Sequence, residues 1–155
     1  DADTQAIEVA KLHAHESGLE IEYHAKTTTD LVADKKQFDV VLALEIIEHV
    51  DNPEQFVSEV VKLCKPDGLI IFSTLNRNPK SFALGIIAAE YILGWVPKGT
   101  HNWKKFVKPS ELTKMLRNNG AKAHDICGLR YNPLNKKFSL DKNDLDVNYF
   151  IAAKK

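Results

Sequence analysis

FDVVLAL (38–44) runs for seven residues with one charge, Asp39, and then the chain changes character: EIIEHV (45–50) brings Glu45, Glu48 and His49 within five positions. A near-continuous apolar run of this length is what a strand covered on both faces carries. In the turn that follows, helical spacing would set residues i, i+3 and i+4 on one face, so Glu45, Glu48 and His49 would converge on a single point. Their oxygen and nitrogen atoms suit a divalent ion such as Mg, Mn or Zn. They equally suit a base that takes a proton from a substrate hydroxyl. The same spacing also describes an amphipathic turn whose charges are merely solvated. Two metalloprotease patterns, H-E-x-x-H and H-x-x-E-H, are excluded, because each needs a histidine where Glu45 stands.

Working outward, DNPEQFVSEVVKLCKPDG (51–68) reads as a helix. Asp51 or Asn52 caps it, Pro53 sits in the first turn, and Phe56, Val57, Val60, Val61 and Cys64 form the buried stripe. Pro66-Asp67-Gly68 then turns the chain into a second buried strand, LIIFST (69–74). Upstream, residues 5–17 carry Ile7, Ala10 and Ala14 at helical spacing before Gly18. His13 and His15, two apart on that helix, face different ways and read as surface residues. EIEYH (20–24) alternates like a short strand. Downstream, KPSELTKMLRNNG (108–120) is a helix opening near Pro109 or Ser110, and AKAHDICGL and DVNYFIAAK are strands joined by a polar, turn-rich connection (132–144). This alternation indicates an α/β layered sheet. Ligands of such sheets sit outside the carboxyl ends of the strands, where Glu45–His49 and Thr74-Leu75-Asn76 both fall.

Composition supports one globular domain: 155 residues, 44% of them apolar. Lysine plus arginine and aspartate plus glutamate balance at 21 each, so no net field favours nucleic acid. Cys64 and Cys127 form no C-x-x-C pair and read as reduced structural thiols.

SFALGIIAAEYILGWV (81–96) holds one charge, Glu90, and is bordered by Lys80, Lys98, Lys104 and Lys105 with Trp95 and Trp103 close by. As a helix it would span roughly 24 Å, short of the ~30 Å hydrocarbon thickness. A buried core helix is one reading. The favoured one is a segment lying on a membrane surface or lidding a greasy substrate, since tryptophan and lysine at its margins straddle water and lipid.

VAKLHAHESG, FDVVLALEIIEHV, KPDGLIIFSTLNRN, AEYILGWVPKGTH, KKFVKPSEL and LDVNYF together resemble the O-methyltransferases of ubiquinone biosynthesis along essentially the whole chain. The resemblance implies a Rossmann-like class I methyltransferase sheet that uses S-adenosylmethionine to methylate a catechol-type polyprenylated quinol precursor. It matches Asp1 to the acidic residue that receives the cofactor ribose and Leu44 to a cofactor contact. It matches Glu45, Glu48 and His49 to the ligands of a divalent metal such as Mg, with Glu48 and His49 in the catalytic role. The segment at about 78–105 matches a lid or membrane-facing insertion, implying contact with the membrane surface through 81–96. A peripheral place at an inner membrane, cytoplasmic or facing the mitochondrial matrix, and a ubiquinone-biosynthesis complex follow as expectations. Rival expectations are a non-catalytic lipid-surface or assembly module of the same fold, and a methyltransferase for another small phenol or lipid.

The resemblance also places a Gly-rich cofactor loop ahead of Asp1, and the seven glycines here (18, 68, 85, 94, 99, 120, 128) form no G-x-G-x-x-G fingerprint. The expectation is therefore a partial methyltransferase domain over 1–155, its sheet lacking the first two strands and that loop, with FDVVLAL left as a hydrophobic edge.

Overall fold

A computed structural model describes residues 1–83 and 102–155. They fall into two compact units, Asp1–Lys36 and Gln37–Lys155.

In the first unit, α1 (Thr4–Glu16) starts where the Asp3 carboxylate accepts from the Gln5 and Ala6 N–H groups at 2.8 and 3.1 Å, a capping arrangement that satisfies two orphan donors. Ile7 and Ala14 are buried, while His13 and His15 are exposed as their spacing required. A second helix, α2 (Thr28–Ala33), opens with a Thr27/Asp30 capping box. EIEYH forms no strand. Asp1 N–H donates to His24 O at 3.3 Å and Lys26 N–H to Asp1 O at 2.9 Å, the pattern of one parallel bridge. Alternating side chains propose a strand, but only a run of such bonds makes one.

The second unit is a five-stranded sheet in the order β1-β2-β5-β3-β4. Its strands are β1 (Phe38–Leu44), β2 (Cys64–Leu75), β3 (Lys122–Asn132), β4 (Lys137–Asp141) and β5 (Asn148–Lys154). The β1–β2 pair is parallel and the others are antiparallel. Helix α3 (Pro53–Leu63) connects the parallel pair. Asn52 Oδ1 caps it by accepting from Gln55 N–H at 3.0 Å, and Pro53 stands in its first turn. The expected stripe is buried in full. A one-turn helix, α4 (Pro79–Ser81), follows β2, and α5 (Pro109–Asn118) follows a 3-10 turn at Trp103–Lys105. The stripe of α3, Leu112 and Leu116 of α5, and Ala43, Ile70, Phe72, Tyr149, Ile151 and Ala153 of the sheet make the core.

Three expectations change here. β1 is buried on one face only: Ala43 is 2% exposed, whereas Val40, Leu42 and Leu44 stay exposed; its place at the edge of the described sheet is the one expected. Pro66-Asp67-Gly68 does not end an element. It is absorbed into β2 as an irregularity, the register jumping from Phe38↔Cys64 to Val40↔Leu69 with Asp67 at φ 60°. A Cβ at Gly68 would stand 2.6 Å from Cys64 Sγ and 2.9 Å from Asp39 O, so only glycine passes through this crossing. The polar connection 132–144 contains β4, which pairs with β3 as a hairpin. Its residues are nearly all exposed, so it carries no buried stripe to announce it. The apolar segment 81–96 lies outside the described residues from 84 onward. Among the described residues no helix is long and apolar enough to cross a membrane.

Gly128 on β3 faces the loop that leads into β5, and a Cβ there would overlap the Asp144 backbone carbonyl. Gly128→Ala is expected to lower the urea midpoint by an amount equivalent to about 2–3 kcal/mol, the range for overpacking a rigid contact. An unchanged midpoint would show that the 142–147 loop yields.

Candidate functional site

The site is built where β1 ends. Glu45 N–H still donates to Ser73 O at 3.0 Å, extending the parallel ladder by one rung. The backbone of Glu45 then turns into the left-handed region, φ 51°. A side-chain-bearing residue adopts that conformation at a cost on the order of 1 kcal/mol, and such residues cluster at functional positions. Ile47 and Glu48 are folded inward, 0% and 3% exposed, while Ile46 and His49 face outward.

Two carboxyl groups come together. Glu45 Oε1 accepts from Ser73 Oγ at 2.6 Å and from Asn148 Nδ2 at 2.8 Å. Beside it, Glu48 Oε2 accepts from Thr74 Oγ1 at 2.8 Å. Burial pushes the Glu48 carboxyl up to about 7; the charge of Glu45 adds to the rise, and a backbone N–H and the Thr74 hydroxyl oppose it. Among the described residues, the buried side-chain atoms without a partner are Glu48 Oε1 and Asn148 Oδ1. An unsatisfied buried acceptor costs about 1–3 kcal/mol. Below the pair, Tyr149 is fully buried and donates to Val107 O at 2.9 Å. Burial, with the charges of Glu111, Glu48 and Glu45, holds its phenol far above the ordinary value, so it is a fixed neutral donor.

The structure brings two of the three expected residues together. Residues 44–50 form a turn rather than a helix, so the i, i+3, i+4 argument brings Glu45 to Glu48 but leaves His49 exposed. Among the described residues no three of His, Cys, Asp and Glu gather to hold an ion. Among the described residues the site is thus a pair of carboxyls, the Glu48 group raised to about 7. Asp1 lies in the first unit, exposed, its Oδ1 accepting from Asp3 N–H at 2.9 Å. Leu44 ends β1 in the second unit and is also exposed.

A methyltransferase-domain family profile matches residues 1–72. The chain is 50% identical over 153 residues to the ubiquinone biosynthesis O-methyltransferase of Dinoroseobacter shibae, covering 99% of this chain and 62% of that protein. It is 51% identical to that of Bartonella bacilliformis, covering 100% and 62%. By sequence, the chain is similar to the ubiquinone biosynthesis O-methyltransferases. It spans 62% of the length of these relatives. The fold agrees. A SAM-dependent methyltransferase of Thermotoga maritima, described as a possible histamine N-methyltransferase, superposes with a TM-score of 0.71 at 16% identity, covering 100% of this chain and 71% of that one. The magnesium protoporphyrin IX methyltransferase of Synechocystis PCC 6803, solved with bound SAH, gives 0.65 at 16%, covering 100% and 61%. The sheet of this O-methyltransferase homologue is thus a class I methyltransferase sheet.

Sequence reasoning missed Ser73, Asn148 and Tyr149. The available signal was topological: β5 runs antiparallel to β2, with Asn148 opposite Leu75, so the start of β5 reaches the same rim as the ends of β1 and β2. A polar Asn at the head of an apolar strand, DVNYF, marked the place.

The Glu48 shift has a defined sign. The folded protein binds this proton more tightly than the unfolded chain, whose carboxyl titrates near 4.5. The contribution is therefore fully present below about pH 4.5, declines as pH rises to about 7, and is lost above, a change on the order of 2–3 kcal/mol. Chemical denaturation at pH 5 and pH 8 should show this loss in the native protein, and Glu48→Gln should flatten it while stabilising the protein at pH 8. An equal slope in the variant would assign the pH dependence to other groups.

Proposed function

We propose that the protein containing this chain transfers a methyl group from S-adenosylmethionine to a phenolic oxygen of a catechol-type polyprenylated quinol precursor. One structural observation carries the chemistry: a buried carboxyl, Glu48, with an unpartnered oxygen, at the carboxyl ends of two parallel strands. Homology to named ubiquinone biosynthesis O-methyltransferases supports the reaction class.

The cofactor would supply an electrophilic methyl group. The Asp1 carboxylate is acceptor-only, is exposed, and holds a single backbone donor in place, so its remaining lone pairs suit a ribose diol. The remaining task falls to the carboxyl pair. A phenol is a poor nucleophile until it loses its proton, and a base titrating near neutrality takes it most effectively. Glu48 receives the proton as the new oxygen–carbon bond forms and the sulfur–carbon bond breaks. Glu45 is fixed by Ser73 and Asn148, and Thr74 orients Glu48. No step is routed through a metal. His49 is exposed on the same turn. The polyprenyl tail is assigned to the apolar run 81–96 on its polarity, which also suggests a peripheral position on a membrane.

Full-length protein incubated with methyl-labelled S-adenosylmethionine and a short-tailed demethylubiquinol should yield labelled ether. Glu48→Gln should lower kcat by about 100-fold or more, the range for general-base loss, with cofactor affinity unchanged by calorimetry. His49→Ala should have the smaller effect. Near-wild-type kcat in Glu48→Gln would remove the carboxyl pair from the mechanism.

A further inference from the structure

We infer that the hairpin of β3 and β4 is a docking surface for an anionic lipid bilayer, with Leu134 entering the apolar layer and Lys136 and Lys137 meeting the headgroup phosphates.

The cross-strand register gives this hairpin two unlike faces. Leu129 pairs with Leu140 and Tyr131 with Phe138, so these four share one face; Arg130 with Ser139 and Asn132 with Lys137 share the other. On the apolar face Phe138 is 58% and Leu140 67% exposed, and the rings of Tyr131 and Phe138 lie 5.0 Å apart. At the tip Leu134 is 94% exposed. Its place is fixed by the turn: Asn132 Oδ1 accepts from Leu134 N–H at 3.0 Å, and Asn135 Oδ1 from Lys137 N–H at 3.1 Å. Large apolar side chains exposed together, as here, mark an interaction surface.

The strand pairing places that surface at the rim of the site. β3 pairs with β5 as far as Leu129, opposite Asn148, the residue that holds Glu45. Beyond it, Arg130, Tyr131 and Asn132 continue the ladder with β4. The hairpin therefore overhangs the start of β5 by roughly 10 Å at the ordinary rise of a strand. The turn where the apolar run 81–96 begins is tied to the loop before β5: Asn78 Nδ2 donates to Asp146 O at 2.6 Å and Lys80 Nζ to Asp146 Oδ2 at 2.8 Å.

Charge selects the occupant. Residues 126–140 contain Arg130, Lys136 and Lys137 and neither aspartate nor glutamate. Arg130 leans on Asp141 at 3.8 Å, while the two lysines stand exposed beside the tip. A fluid bilayer receives a projecting apolar tip without a matching hollow, and lysine stems lie along its surface with their ammonium groups among the phosphates. An anionic leaflet attracts each such lysine within about a Debye length. A protein partner would have to supply both a shaped hollow and acidic groups.

The test sediments full-length protein with vesicles of phosphatidylcholine alone, or of phosphatidylcholine and phosphatidylglycerol in equal parts. The wild type should bind the mixed vesicles, and less so as salt rises. Lys136→Gln combined with Lys137→Gln should weaken that binding by about tenfold or more and make it less salt-dependent. Lys136→Arg with Lys137→Arg, which keeps the charge, should bind as the wild type does. Leu134→Ser should weaken binding at least about fivefold with the salt dependence retained. Because these side chains are exposed, the Tm of every variant should match the wild type. A wild type that ignores mixed vesicles overturns the inference. So do glutamine and serine variants that bind as well as the wild type, which would assign the hairpin to a protein partner. A lowered Tm with unchanged vesicle binding overturns it too, showing that the rest of the full-length protein covers this face. Vesicle binding requires no methyl transfer, so hairpin-dependent binding without labelled ether would sink the reaction proposed above and leave the docking surface standing.

Discussion

The parallel pairing of β1 with β2 is the constraint on which the site depends. Leu44 lies opposite Ser73, and the last rung, Glu45 N–H to Ser73 O, fixes where β1 stops. That single register sets Glu45 against the Ser73 hydroxyl and Glu48 against the Thr74 hydroxyl. A slip of one residue would reverse every side chain on β1, moving Ala43 out of the core and both hydroxyls away from their carboxyls. The core beneath guards against it, because Ala43, Ile70 and Phe72 pack on α3 and on Tyr149. Packing and chemistry are thus settled by the same ladder of hydrogen bonds.

Much of the architecture was legible because it is local. The cap at Asn52, the proline at 53 and the stripe from Phe56 to Cys64 lie within thirteen residues, and a helix needs nothing more distant to declare itself. Asn119-Gly120 closing α5 is the same kind of signal, with Gly120 at φ 83°. What failed was local reasoning applied to non-local structure. EIEYH alternates as a strand should, yet forms none. β4 is visible only through its partner, since its Phe138 and Leu140 point into solvent.

The site divides along the same line. Glu45 and Glu48 were legible as neighbours three positions apart. Their meeting, however, comes from a left-handed residue at the end of a strand and not from a helical turn, which is why His49 does not join them. The groups that give the pair its chemistry come from far along the chain: Ser73 is 28 positions from Glu45, Thr74 is 26 from Glu48, and Asn148 is 103 from Glu45. No spacing rule spans such separations; only strand order does. The family resemblance supplied the fold and the reaction class, while the coordinates show Glu45 and Glu48 as a hydrogen-bonded carboxyl pair.

The positive φ at Glu45 carries a consequence for how this protein can change. Glycine or asparagine would sit there with less backbone tension, so drift toward robustness alone would erase the glutamate. Its persistence needs a countervailing demand from what binds beside it. Libraries screened for heat tolerance and libraries screened for turnover should therefore part company at position 45.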